Sequence, residues 1–212
     1  MTKVLENKLR HYPHPYITDI ELGTLLDGSL DSQYSKVKRL LAQGKLIHIR
    51  RGLYCLTENL SYSRKPHPFA LAQYIYAPSY VSLESALAYH KLIPEAVYVT
   101  TSACAKRSKE FQTPLGVFSY LHLPPDDFYT EVELVSDDHD RFFMAKPWKA
   151  ICDYIFCYKK EWNTLDPLLQ SLRINRDDLP ILRYEETEVL NEYYQHKRLT
   201  RFLKGIKRDL KI

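Results

Sequence analysis

The sequence predicts a mixed α/β protein of the α+β class, built from two parts with different patterns. Three amphipathic helices followed by a short β-hairpin fit residues 1–60. From residue 69 to residue 212, β-branched and aromatic segments alternate with helical ones, and the last third is helical. With 212 residues, the chain can bury a separate core in each part. We therefore predict one domain over 1–60, a linker over 61–68, and a second domain over 69–212.

The first two helices are predicted from apolar spacing and from their end signals. Residues 3–12 have helical spacing and end at Pro13 and Pro15. A second helix begins at Thr18, which forms a capping box with Glu21. Its predicted core face, which extends to the Asp27–Gly28 stop, consists of Ile20, Leu22, Leu25 and Leu26.

The third helix is predicted over residues 31–43, with Asp31 as its N-cap and Gly44 just after its end. One stripe of this helix is apolar and is expected to face the core: Tyr34, Val37, Leu40 and Leu41. The opposite stripe is polar: Ser32, Ser35, Lys36, Arg39 and Gln43.

A hairpin follows, with strands over 46–50 and 53–56 joined by a tight turn at Arg51 and Gly52. Three helices followed by a hairpin with arginines at its tip are typical of a winged helix-turn-helix. In that arrangement the polar stripe enters the major groove and the hairpin contacts the DNA backbone. The predicted DNA-binding residues are Ser32, Ser35, Lys36, Arg39, Gln43, Arg50 and Arg51. Two alternatives stay open: the stripe is merely a solvated helix face, or the domain binds only protein.

The second part begins with a helix over 69–75, a short strand at 80–81 and a helix over 83–90 that Ser82 caps. Further strands are expected over 96–101, 104–112, 116–122 and 129–134. Pro147 suits the first position of a helix. Two more helices are predicted over 165–172 and, as one long element, from about 185 to 211.

The net charge is +4, and its distribution is uneven. Residues 1–60 contain 9 basic and 6 acidic side chains, residues 61–145 contain 7 and 10, and residues 146–212 contain 14 and 10. A basic end fits a nucleic-acid contact or a solvated helix equally well.

The composition indicates a cytoplasmic protein with no membrane partner. No segment is apolar for the length of a bilayer, and no apolar run follows the charges of the first residues. Four scattered cysteines favour free thiols over disulfides or zinc.

The sequence offers no assembled catalytic motif, and we predict neither enzyme activity nor a cofactor nor a metal site. Phosphate-binding glycine loops, nucleophile elbows and zinc-protease motifs are absent from it. The acidic candidates are Glu84, Asp137, Asp138 and Asp140, which would suit a nuclease-like metal site. A solvated turn and a favourable charge in the first turn of a helix explain them without chemistry.

Several stretches of the chain resemble the AbiEi family of antitoxins and transcriptional regulators. They are GKLIHIRRGLY over 44–54, YVSLESALAYH over 80–90, TPLG over 113–116 and MAKPWKAICD over 144–153. The resemblance covers about residues 17–155. Its matching polar positions are Ser82, Ser85, His90, Lys149 and Asp153. By themselves, Lys149 and Asp153 are helical neighbours expected to form an ordinary pair worth about 0.3 kcal/mol.

The resemblance implies a type IV toxin–antitoxin system. The first domain would bind operator DNA and repress its own operon, and the second would counteract a nucleotidyltransferase-like toxin. A solitary transcription factor with a sensing or dimerisation domain is one alternative. A regulator fused to a nuclease-like domain is the other.

Overall fold

The computed structural model describes residues 3–57, 66–124, 126–137 and 140–212. The chain divides into two compact units. The first unit is Met1–Ile75 with Gln112–Leu115, and the second is Tyr76–Phe111 with Gly116–Ile212. Both are mixed α and β structures with a sheet of their own, so the α+β class is confirmed.

The first unit contains four helices and three strands within its described residues. They are α1 (Lys3–Arg10), β1 (Tyr16–Thr18), α2 (Asp19–Leu25), α3 (Leu30–Ala42), β2 (Leu46–Arg50), β3 (Leu53–Leu56) and α4 (Pro68–Ile75). The sheet has the order β1-β3-β2, with both pairs antiparallel. Strand β1 was not predicted, because three residues are too few to show an alternating pattern.

The predicted boundary at residues 61–68 differs from the boundary between the compact units. Residues 61–65 lie outside the described residues, and α4 belongs to the first unit. The ring of Tyr74 in α4 packs 4.0 Å from that of Tyr16, measured between centroids. Contacts of this kind explain why the compact unit continues to Ile75.

The core of the first unit joins the helices to the sheet. Its buried members are Leu5, Leu9, Ile17, Leu22, Leu26, Leu40, Leu46 and Leu56. Leu25, Val37 and Leu41 are partly buried against this core, as predicted. Two other predicted core residues are exposed: Ile20 by 79% and Tyr34 by 73%. The prediction was wrong for both, because helical spacing marks a stripe but not its edges.

The ends of α2 and α3 are set by local hydrogen bonds. The Thr18 hydroxyl accepts from the Glu21 N–H (3.2 Å), and the Glu21 carboxylate accepts from the Thr18 N–H (2.8 Å). The predicted capping box is therefore confirmed. Helix α3 is capped by Ser29 and not by Asp31, since the Ser29 hydroxyl accepts from the Ser32 N–H.

The second unit is built on a six-stranded mixed sheet with the order β6-β7-β5-β4-β9-β8. The strands are β4 (Ser79–Val81), β5 (Val99–Cys104), β6 (Lys109–Thr113), β7 (Gly116–His122), β8 (Val132–Asp137) and β9 (Asp140–Ala145). Strands β5 and β7 are parallel, as are β4 and β9, whereas β4–β5 and β8–β9 are antiparallel. Strand β7 has the predicted bounds, and the neighbouring strands begin up to five residues later than predicted.

Among its described residues, the second unit also has five helices and a short 3-10 turn at Arg176–Asp178. They are α5 (Leu83–Tyr89), α6 (Pro147–Cys157), α7 (Leu165–Leu172), α8 (Tyr184–Tyr194) and α9 (Lys197–Leu210). Pro147 begins α6 as predicted. The single long helix predicted from 185 to 211 is wrong: Gln195, at φ 45°, ends α8, and the His196 ring nitrogen accepts from Arg198 N–H at the start of α9.

All four cysteines are free thiols, as predicted. Cys55, Cys104 and Cys152 are buried, and Cys157 is partly buried. Burial raises the pKa of Cys55 to about 11, and it also raises that of Cys104. These thiols are therefore packing residues that stay protonated at neutral pH.

Candidate nucleic-acid interface

The turn between α2 and α3 is held by two side chains of α3. The Gln33 amide donates to the carbonyls of Leu26 (2.9 Å), Gly28 (3.3 Å) and Gly23 (3.4 Å). The Lys36 ammonium donates to the Asp27 carbonyl. Carbonyls at the end of α2 and in the turn would otherwise lack protein partners, so these bonds hold the turn between α2 and α3 in shape.

The outward face of α3 differs from the predicted polar stripe. Leu40 is fully buried and sets the rotation of the helix, while Ser32 and Lys36 are half-buried. The exposed side chains of α3 are Leu30, Asp31, Tyr34, Ser35, Lys38, Arg39 and Ala42. We call this set the α3 face.

Of the predicted DNA-binding residues in this region, Ser35, Arg39 and Gln43 are exposed. Sequence reasoning missed Tyr34 and Lys38, which lie on the α3 face. A buried stripe centred on Leu40, Val37 and Gln33 places Tyr34 and Lys38 on the exposed side of the helix.

The hairpin turn presents one of its two arginines. Arg51 is exposed. The Arg50 guanidinium instead donates to the carbonyls of Arg51 (2.9 Å) and Tyr74 (3.2 Å), and its buried Nε has no partner. Arg51 is thus the cation that this turn offers to a ligand.

The same turn is tied to the start of α2. The Asp19 N–H donates to the Gly52 carbonyl over 3.1 Å. Gly52 has φ +77°, and a Cβ there would lie 3.2 Å from the Asp19 carboxylate. Glycine is required at this position because a side chain would be strained and crowded. The hairpin and α2 therefore keep a defined spacing within the first unit.

The polar positions that carry the AbiEi resemblance lie in the second unit, and three of them form a buried cluster. Asp153 accepts from Lys149 Nζ (2.6 Å), Ser82 Oγ (2.6 Å) and Tyr80 OH (3.1 Å), and also from Tyr194 OH. Lys149 and Asp153 have no exposed side-chain area. We call these five side chains the buried polar cluster.

This cluster corrects two expectations. The Lys149–Asp153 pair is not an ordinary helix-surface pair, because the surrounding chain excludes water from both charges. Ser82 occupies the N-cap position of α5 but makes no side-chain cap; its hydroxyl bonds Asp153 instead. Spacing along the sequence shows that two residues are neighbours, and it does not show what covers them.

Burial shifts the proton equilibria of this cluster. It raises the pKa values of Tyr80 and Tyr194 well above the usual range, an effect that the Asp153 charge reinforces. Burial lowers the pKa of Lys149, and the adjacent Asp153 charge opposes that shift. The tyrosines are therefore neutral donors, and the cluster ties β4, α5, α6 and α8 together.

The other two resemblance positions also make core hydrogen bonds. The Ser85 hydroxyl accepts from the Thr101 N–H (2.8 Å), and the Thr101 hydroxyl accepts from the Ser85 N–H (2.9 Å). The His90 Nε2 lies 2.9 Å from the Ala145 carbonyl. All five positions thus hold the fold of the second unit.

Only part of the set of acidic candidates for metal binding lies within the described residues. Asp138 and His139 lie outside the described residues, and the structure gives Asp137 only as the last residue of β8. Within the described parts of the chain, no three His, Cys, Asp or Glu side chains converge as metal ligands would.

No protein-family model matches this chain, and no curated protein sequence matches it either. Among the helices of the described residues, none has both the length and the apolar composition needed to cross a membrane.

Proposed function

We propose that the first unit is a winged helix-turn-helix that binds duplex DNA, and that the chain is a transcriptional regulator. The observation that carries the proposal is the α3 face, which combines Ser35, Lys38 and Arg39 on a helix held in a helix-turn-helix pair. Such side chains donate to base edges and phosphates in a major groove. The element order and the sheet order β1-β3-β2 support the winged arrangement.

Residues of the proposed interface have two roles. Lys38, Arg39 and Arg51 are exposed cations that suit phosphate contacts, and Tyr34 and Ser35 suit base edges. Lys36 and Arg50 bond backbone carbonyls, so they hold the helix-turn-helix and the hairpin in shape. Tyr34 adds an aromatic surface that can contact a thymine methyl group.

The test is fluorescence anisotropy with the full chain and its own promoter fragment over a range of salt concentrations. Replacing Lys38 or Arg51 with Ala should weaken binding to every duplex and lower the salt slope by about 1. Lys91→Ala, an exposed lysine of the second unit, is the matched control. A Lys38→Ala protein with an unchanged slope contradicts the assignment of the α3 face.

For the second unit we propose the antitoxin role that the AbiEi resemblance implies, exerted on a nucleotidyltransferase-like toxin. The supporting observation is a row of exposed cations on α9, Lys197, Arg201, Lys204 and Arg208, which Lys211 continues just after the helix. The opposite side of α9 is anchored by Leu199, Phe202 and Ile206, which are buried. A fixed helix with one charged face suits an acidic protein surface.

The enzymatic alternative has its own test. We propose that the chain is not an enzyme. The alternative, a nuclease-like domain, would require Glu84 and the acidic turn at residues 137–140 to bind a metal ion together. Incubation with DNA or RNA and magnesium or manganese measures this directly. Cleavage that a Glu84→Gln substitution abolishes would establish the nuclease reading.

A further inference from the structure

The second unit contains a cavity of about 500 Å³ that none of the functions above uses. Its walls combine apolar side chains, including Ile93 and Leu172, with Tyr98 and Tyr158. Thr101 and Ser119 of the sheet form part of the wall. Volumes of this size suit small molecules, and a mostly apolar wall with a few polar groups is typical of ligand sites.

Glu84 lines this cavity, and one of its two carboxylate oxygens lacks a partner. Its Oε2 is buried and accepts no hydrogen bond. Burial raises the pKa of Tyr158, another lining residue, and the Glu84 charge raises it further. A buried acceptor without a donor is unfavourable, and a ligand whose N–H donor reaches the Glu84 carboxylate would relieve this.

The residues that line the cavity carry negative charge, which favours a cationic ligand. Three carboxylates line the cavity, those of Glu84, Glu95 and Glu110, and none of its thirteen lining residues is Lys, Arg or His. Glu95 is paired with Arg173, which itself is not a lining residue. The negative charge therefore attracts a cation and repels an anion.

An organic cation fits these walls better than a metal ion. A divalent metal needs several oxygen ligands, and the described residues bring no three acidic, His or Cys side chains together for one. An ammonium or guanidinium group needs one carboxylate and is attracted to the faces of tyrosine rings. Its carbon chain would cover the apolar part of the wall.

We propose that this cavity binds a small organic cation, an alkylammonium or guanidinium group on an apolar stem, with Glu84 as the residue that bonds it. The chemistry is the same whether the cation is a free amine or a lysine or arginine side chain of another protein. The proposal does not depend on DNA binding, and each can fail without the other.

The experiment is isothermal titration calorimetry of the full chain with putrescine and agmatine, in the absence of DNA. The neutral analogue of putrescine, 1,4-butanediol, has the same length and lacks the charge. We expect saturable binding of at least one cation and none of the diol. Equal binding of the diol, or displacement of the cation by millimolar magnesium alone, would overturn the proposal.

Glu84→Gln should weaken cation binding about tenfold or more, because a charge-assisted hydrogen bond is lost. Glu133→Gln removes the same charge at an exposed position of β8 and should bind as the unchanged protein does. A folded Glu84→Gln protein that binds normally would refute the assignment.

A second variant keeps the proposal testable if Glu84→Gln does not fold. Ser171 lines the cavity from α7 and is exposed, so Ser171→Phe should fill the space and abolish binding while every carboxylate remains. Binding that survives this change would place the cation elsewhere and overturn the proposal.

Capped peptides with one lysine or arginine distinguish the two sources of the cation. Binding of the free amine alone identifies a small-molecule ligand, and binding of the peptide alone identifies a protein side chain. Both results support the proposed chemistry, and failure of both arms contradicts it.

Discussion

At the scale of single residues, Asp153 accepts most of the hydrogen bonds of the buried polar cluster. Four donors, from Lys149, Tyr80, Ser82 and Tyr194, bond its two oxygens. Burial removes the solvent that would compensate any donor left without a partner, so the four donors depend on this one carboxylate.

Asp153→Ala should therefore lower the free energy of unfolding by about 3–5 kcal/mol, since it leaves the Lys149 charge buried and unpaired. An ordinary surface pair would cost only about 0.3 kcal/mol. Both tryptophans, Trp148 and Trp162, lie in the second unit, so tryptophan fluorescence during urea unfolding follows this unit.

The control for this prediction is the double variant Lys149→Met with Asp153→Leu, which removes both charges. It should be less destabilised than Asp153→Ala, because no unpaired charge remains. If Asp153→Ala lowers the free energy of unfolding by less than about 1 kcal/mol, the result contradicts the burial of the Lys149–Asp153 pair.

The capping box of α2 leads to a prediction for the first unit. Thr18→Ala should lower its free energy of unfolding by about 1 kcal/mol, because the Glu21 N–H loses its acceptor. Circular dichroism during thermal unfolding measures the change. Thr24→Ala serves as control, since its hydroxyl bonds a carbonyl within α2 and does not cap the helix.

The same box is expected to respond to acid. The Thr18 N–H holds the pKa of Glu21 below its ordinary value of 4.5. A carboxyl group with a lowered folded-state pKa stabilises the fold above its unfolded pKa, and this contribution is lost as the pH falls through the folded pKa. The stability difference between the unchanged protein and Glu21→Gln should therefore shrink below about pH 4.5. A difference independent of pH between 7 and 3 would contradict the capping role of the charge.

At the scale of elements, replacing two helical glycines with alanine is expected to change stability in opposite directions. A Cβ at Gly205 of α9 would lie 1.8 Å from the carbonyl oxygen of Asn163. The backbone there leaves no room, so Gly205→Ala should destabilise the second unit by about 1–3 kcal/mol.

Gly23 of α2 is the matched case with free space. A Cβ there would meet only the Gln33 side chain, at an ordinary distance of 3.5 Å. Because alanine favours a helix over glycine, Gly23→Ala should stabilise the first unit by roughly 0.5–1 kcal/mol. In urea unfolding, stabilisation by both variants would contradict the close packing of α9 at Gly205, and destabilisation by both would contradict the prediction for Gly23.

At the scale of the whole molecule, the division into two units predicts that the proposed protection and the proposed DNA binding can be separated. In the full chain, Arg39→Ala with Arg51→Ala should abolish binding to the promoter fragment and still rescue growth when a toxin gene encoded beside this one is expressed. Lys197→Glu with Lys204→Glu on α9 should lose the rescue and keep operator binding, because the charge of the proposed contact is reversed.

Lys91→Glu with Arg141→Glu reverses two exposed charges of the second unit that lie outside α9, and this variant is the matched control. Rescue that follows operator binding in every variant would mean that the chain protects only by repressing toxin synthesis. Absence of rescue by the unchanged protein would favour a solitary transcription factor.

The features that the sequence alone determined are local ones. The capping box at Thr18, the hairpin around Gly52 and the start of α6 at Pro147 were all predicted and confirmed. Each depends on residues only a few positions apart, so their types and spacing suffice.

Tertiary structure alone decided the features that depend on distant residues. Strand β1 exists because β3 pairs with it, and the rotation of α3 follows from the burial of Leu40. The Lys149–Asp153 pair is buried because β4, α5 and α8 cover α6 with Tyr80, Ser82 and Tyr194. Periodicity states which residues share a helix face, whereas burial depends on which elements pack against that face, and that information is spread over the whole chain.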